Sequence, residues 1–82
     1  MKKYIIILQQ YQQSTSFVPG SNAITFINNG SAVVLLNNIP LAVGASLSIE
    51  GNNDEIDTTQ YTLNFGTATN GNVLVIQKMF VK

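Results

Sequence analysis

The chain predicts an all-β fold, a small single-domain antiparallel sandwich or barrel of six to seven short strands. Three features carry that expectation. Apolar and polar residues alternate with a period of two in Ala45–Glu50 and in Tyr61–Phe65, the pattern of a half-buried strand. Turn signals (Pro19-Gly20, Asn29-Gly30, Asn37-Asn38, Asn70-Gly71) punctuate the chain at short intervals, as in sandwiches and barrels. No segment shows a sustained 3.6-residue apolar period, so helix is not expected beyond a turn.

Taken in order, Lys3–Gln10 is the first strand, because Ile5 to Leu8 leaves neither face polar. Residues 9–22 form a polar connection holding Tyr11, Phe17 and Pro19-Gly20. Two readings stand there. In one, the segment is an extended arm laid on a neighbour and anchored by Tyr11 and Phe17. In the other, the first strand runs on to about Tyr11 and a wide loop follows. Ile24–Asn28 and Ala32–Asn37 read as a hairpin, since Asn-Gly supplies the positive φ angles of a two-residue turn. Ile39–Leu41 is a short edge segment, kept off a central position by Pro40. Ala45–Ile49 and Tyr61–Phe65 are one-sided strands separated by the turn-rich stretch 51–57. Val73–Val81 closes the chain as the longest strand.

The strands are of two kinds. Ala45–Ile49 and Tyr61–Phe65 are polar on one face, as a sandwich strand should be. Tyr4–Leu8, Ala32–Leu36 and Val73–Val81 are apolar on both. A two-layer domain of this size has a single interior, so the second faces need cover, either from crossing strands of the same chain or from other subunits. Subunit burial is the expectation, through Ile5, Ile7, Tyr11, Phe17, Val34, Leu36, Leu74, Ile76 and Phe80.

Composition points the same way. The 82 residues include no cysteine, histidine or tryptophan, so disulfides and thiolate or imidazole metal sites are excluded. A chain this short buries only about 60–65% of its unfolded surface, and oligomerisation is the remaining stabiliser. Only 10% of residues are charged, with net charge zero, against roughly 25% in an average domain. The lysines (2, 3, 78 and 82) sit at the ends and arginine is absent, so a basic nucleic-acid footprint is lacking. Met1-Lys2-Lys3 and the short apolar run after it do not make an export signal, because glutamines follow at once. No apolar run approaches the roughly 18–20 residues of a membrane span.

Chemistry finds few footholds. All four acids fall within residues 50–57. A hard cation such as calcium would use Glu50, Asn52, Asp54 and Asp57 there, but the spacing is not that of an EF-hand loop. A solvated acidic loop is the plainer reading. A third reading has it docking against the lysine-bearing termini of a neighbouring copy. Hydroxyl nucleophiles have no base beside them, and the glycines are isolated turn residues. No enzyme activity and no cofactor are expected. Tyr4, Tyr11, Tyr61, Phe17, Phe26, Phe65 and Phe80 could include a sugar-stacking platform, although alternating phenylalanines more often form a core.

The stretches I-T-F-I-N-N-G, I-P-L-A-V-G-A-S-L-S-I and E-I-D-T-T-Q-Y-T-L-N-F, within Ile24–Phe65, resemble small structural proteins of bacteriophage virions. Those are short asparagine- and threonine-rich chains of the minor capsid, head-decoration, vertex, spike or tail type. The likeness covers about half the chain and lies in a style of β-repeat. It implies an assembly role in the virion, put together in the host cytoplasm, with copies of itself and other virion proteins as partners. The alternative is a carbohydrate- or receptor-binding β-module at a fibre or spike tip.

Overall fold

The computed structural model describes residues 2–81 and is a two-layer antiparallel β structure. Its strands are β1 (Lys3–Tyr11), β2 (Thr15–Phe17), β3 (Ala23–Asn28), β4 (Val34–Leu36), β5 (Ile39–Leu41), β6 (Ser46–Ile49), β7 (Tyr61–Asn64) and β8 (Val73–Val81). The first sheet runs β1-β8-β3-β6 and the second β2-β7-β4-β5. Only β4 and β5 follow one another within a sheet; every other connection crosses between layers. No described helix is long and apolar enough to cross a membrane.

The core lies between the layers. Ile24 and Phe26 of β3 and Val73 and Val75 of β8 meet Val34, Leu36, Leu41, Tyr61, Leu63 and Phe65 from the second sheet and its flanks. Each large apolar side chain so covered contributes on the order of 1.5–3 kcal/mol. Period-two alternation directs them: β3 and β7 bury every second residue.

The hairpin expected at Asn29-Gly30 is not formed. β3 pairs with β6 and β8, while β4 pairs with β5 and β7, so the chain changes sheets at this dipeptide. The real two-residue hairpin is at Asn37-Asn38, where both asparagines have positive φ, 50° and 68°, and Leu36 faces Ile39. Asparagine tolerates that conformation better than most residues. Asn29-Gly30 instead lies against the other Asn-Gly segment. The Asn29 amide donates to the Asn72 carbonyl at 2.9 Å, and the Ser31 amide to that of Asn70 at 3.1 Å. Gly30 and Gly71 serve close approach there: a Cβ on Gly30 would collide with the Asn72 amide, and one on Gly71 with the Phe65 ring.

Two buried asparagines bracket β3. At its end, the Asn28 amide nitrogen donates to the carbonyls of Ala32 (2.9 Å) and Leu41 (2.8 Å), and its oxygen accepts from the Gly30 amide at 3.1 Å. Just before its start, Asn22 donates to the Glu55 carbonyl at 2.6 Å and accepts from the Phe80 amide at 2.7 Å. A buried polar group needs such partners, because leaving one unpaired costs about 1–3 kcal/mol.

The connection 9–22 divides between strands. Residues 9–11 complete β1, and Thr15–Phe17 form β2 on the edge of the second sheet. Tyr11 and Phe17 stack on one another at 5.3 Å and 14° and pack against the chain's own core, so the arm reading is replaced by a second, short strand. Pro40 lies in β5, an edge strand as expected. Val73–Val81 is matched in length by β1, nine residues each. β6 is an edge strand as well, and Leu47 remains 44% exposed.

Asn28→Ala should strip two carbonyls and one amide of their partners and lower unfolding free energy by about 2–4 kcal/mol. Asn38→Gly should leave stability within about 0.5 kcal/mol, whereas Asn38→Val should cost about 1–2 kcal/mol. Urea denaturation of the three variants measures this.

Candidate functional site

The two layers are unequal, and the longer one carries the principal exposed apolar surface. β1 and β8 pair along their whole length, from Lys3 opposite Val81 to Tyr11 opposite Val73. The strands of the second sheet have three or four residues each. They cover the Tyr11–Val73 end of that ribbon and stop short of its Lys3–Val81 end, where Asn53 and Ile56 of the loop before β7 line a hollow with Met79, in a molecule measuring 45 × 18 × 17 Å.

Register assigns the faces. Val73 and Val75 are fully buried, so their neighbours Gln77, Met79, Ile7 and Ile5 share the sandwich side. Past the second sheet, Ile5 is 47% exposed, and Ile7 and Met79 are half-buried. The opposite, outer side carries Tyr4, Ile6 and Leu8 of β1, Leu74, Ile76 and Phe80 of β8, and Ile27 of β3. Tyr4, Ile6 and Leu8 expose 54%, 49% and 63% of their surface. The one described charge within this outer face of β8, Lys78, lies over the Tyr4 ring at 4.5 Å and near the Phe80 ring at 5.1 Å. Its ammonium is thereby drawn onto aromatic faces, a cation–π arrangement.

A second feature is a cleft of about 530 Å³ between the edge strands β5 and β6. Leu36, Ile39, Leu41, Leu47, Ile49 and Ile56 line it, and Asp57 and Tyr61 contribute polar groups. The Tyr61 hydroxyl donates to Asp57, whose other carboxylate oxygen accepts from the Thr59 amide at 2.8 Å. Burial, the hydrogen bond to Asp57 and that residue's charge push the Tyr61 phenol up to about 12. Burial pushes the Asp57 carboxyl up, but hydrogen bonds from Tyr61 and Thr59 outweigh it and leave the group below its ordinary value.

The acidic stretch is used to build its own loop. Glu55 accepts from the Asn52 amide at 2.8 Å, the Asp57 amide donates to the Ser21 carbonyl at 2.9 Å, and Asn22 binds the loop carbonyls from inside. No three acidic side chains converge as a metal site among the described residues, so Glu50, Asn52, Asp54 and Asp57 do not form a cage. Glu50, Asn52 and Asn53 line a hollow with Lys2 and Lys78 of the same chain. The loop thus stands beside lysines of its own copy.

Of the residues expected to meet other subunits, Val34 and Leu36 are 0% and 5% exposed and belong to the chain's own core. β4 is central in its sheet and turns both inward, so that assignment is corrected. Tyr11 and Phe17 are likewise engaged by the core margin. Ile5 and Ile7 lie together on the sandwich side beyond the second sheet, and Leu74, Ile76 and Phe80 on the outer side. Sequence pattern alone does not single out Tyr4, Ile6 and Leu8, which the parity of the β1–β8 register places beside those last three. Among the aromatic residues, Phe26, Phe65 and Tyr61 are buried, so the exposed set reduces chiefly to Tyr4. No family model, curated protein or solved structure matches this chain.

The pKa shifts fix the pH response of the Asp57–Tyr61 pair. Tyr61 has a folded value above its unfolded one near 10, so its contribution is whole below about pH 10 and is lost as pH rises through about 12. Asp57 is depressed, so its contribution is whole above roughly pH 4 and is lost as pH falls through the folded value. Denaturant midpoints across this range should fall at both ends, and Tyr61→Phe should flatten the alkaline fall.

Proposed function

We propose that this protein is a structural subunit that works by assembly, burying the outer face of the β1-β8-β3 sheet against copies of itself or other proteins of a larger particle. The observation that carries this reading is the exposure of Tyr4, Ile6 and Leu8 beside Leu74, Ile76 and Phe80. Contiguous exposed apolar surface on that scale is a mark of interaction sites. Low charge supports it, because few repulsions oppose close packing of copies. In the virion reading that the sequence resemblance implies, the subunit is a minor or auxiliary capsid or vertex component. Its action would be mechanical rather than catalytic, with binding free energy coming from apolar area removed from water.

The carbohydrate- or receptor-binding alternative needs an exposed aromatic groove. With Phe26, Phe65 and Tyr61 buried and Tyr11 stacked on Phe17, the geometry favours assembly.

Sedimentation of the purified chain over a concentration series tests the reading. Association into oligomers is expected, and a monomer persisting at high micromolar concentration overturns it. Leu8→Lys should weaken association more than about tenfold, given the free energy of burying one leucine. Val43→Lys, at an exposed site off this face, should leave association unchanged.

A further inference from the structure

Assembly through the outer face leaves open how copies first meet, and the edges of the two sheets differ in a way that bears on it. Each sheet ends in two strands with one unpaired side: β1 and β6 in the first, β2 and β5 in the second. An unpaired side presents a row of amides and carbonyls that another strand can use, and proteins usually blunt it by shortness, proline or charge. β5 has three residues and contains Pro40, β2 has three, and β6 has four. β1 has nine, without proline, and without charge from Tyr4 to Tyr11. It is the one edge left unblunted.

We infer that β1 pairs with β1 of a second copy, antiparallel about a two-fold axis at Ile6, joining two four-stranded sheets into one of eight strands. This rests on the assembly reading and specifies its first contact. Two observations select the occupant and the direction. A parallel, in-register pair would set Lys3 directly against Lys3 of the other copy, a repulsive placement. The antiparallel pair moves each Lys3 opposite Gln9. Centring on Ile6 also matches every residue of the apolar run Tyr4–Leu8 with another: Tyr4 with Leu8, Ile5 with Ile7, Ile6 with itself. Hydrophobic pattern of this kind sets register, because a one-residue slip exchanges the faces. The resulting contact is isologous and closes as a dimer. It also makes the outer apolar faces of the two copies continuous, doubling the surface available for the next level of packing.

The absence of native cysteine makes crosslinking a clean test. Opposite residues in an antiparallel pair have Cα atoms about 4.5–5.5 Å apart, within the span a disulfide needs. Under mild oxidation, Ile6→Cys chains should crosslink to one another, and an equimolar mixture of Ile5→Cys and Ile7→Cys chains should crosslink predominantly as the mixed pair. Ser48→Cys, on the β6 edge, should not. If Ile6→Cys crosslinks but the mixed pair does not, the copies stack by their outer faces; edge pairing is overturned while assembly stands. If neither crosslinks and the unsubstituted protein still sediments as an oligomer, edge pairing is likewise overturned and assembly survives. If that protein is monomeric throughout, both readings fall. Amide exchange on the unsubstituted chain gives a measurement independent of the variants: on association, the β1 amides facing away from β8 should become protected, and unchanged exchange overturns edge pairing.

Discussion

β3 has to be solvent-free on its inner side and connected at both ends by segments that leave its sheet, and the rest of the structure follows from meeting that condition. Phe26 and Ile24 supply the apolar side, packed on Val73, Val75, Tyr61 and Leu63. The harder problem is the backbone at each end, where the chain turns from one layer to the other and loses its ladder partners. Asn28 and Asn22 solve it with side-chain amides, Asn28 bonding backbone of the segment that follows it and of β5, Asn22 bonding backbone of the loop before β7 and of β8. An amide has both donor and acceptor atoms and no charge to desolvate, which suits it to a buried junction better than a carboxylate or ammonium.

That arrangement explains an asparagine-rich, charge-poor composition without appeal to the surface alone. Asn22 and Asn28 hold backbone inside the fold at the ends of β3, while the exposed Asn37 and Asn38 supply the positive φ angles of the β4–β5 turn. The Asn37 oxygen also accepts from the Thr62 amide at 2.7 Å, tying this turn to β7. Backbone crossing between layers at nearly every connection demands such partners, and short polar side chains supply them locally. The strands of the second sheet are short, three or four residues each. A long β1–β8 ribbon against short opposing strands must overhang, and there Ile5, Ile7 and Met79 of the sandwich side keep part of their surface in water.

The outer face of the ribbon is the surface that the proposed assembly would use. β8 has β1 on one side and β3 on the other, so its apolar outer residues are half-covered by neighbours in the sheet. β1 has a neighbour on one side only, and its outer residues are open. An edge strand that is apolar on both faces and unblunted along its length is a poor solution for a solitary chain. It is a serviceable one for a subunit that meets copies of itself.

Local pattern was enough to establish the all-β class, the one-sided character of Tyr61–Phe65, the edge position of the proline-bearing β5 and the two-faced apolarity of β1 and β8. These depend on alternation and on proline's missing amide, which are properties of neighbours in the chain. Which strands paired was not legible. Asn29-Gly30 carries a stronger turn signal than Asn37-Asn38, yet the hairpin formed at the latter. Gly30 is held instead by its close approach to Asn72, a contact far away in sequence. Val34 and Leu36 looked no more self-sufficient than Ile5 and Ile7; β4 being central and β1 peripheral separated them. Covering a face depends on which layer stands opposite and how far it extends. That is settled by long-range pairing, and no window of neighbouring residues contains it.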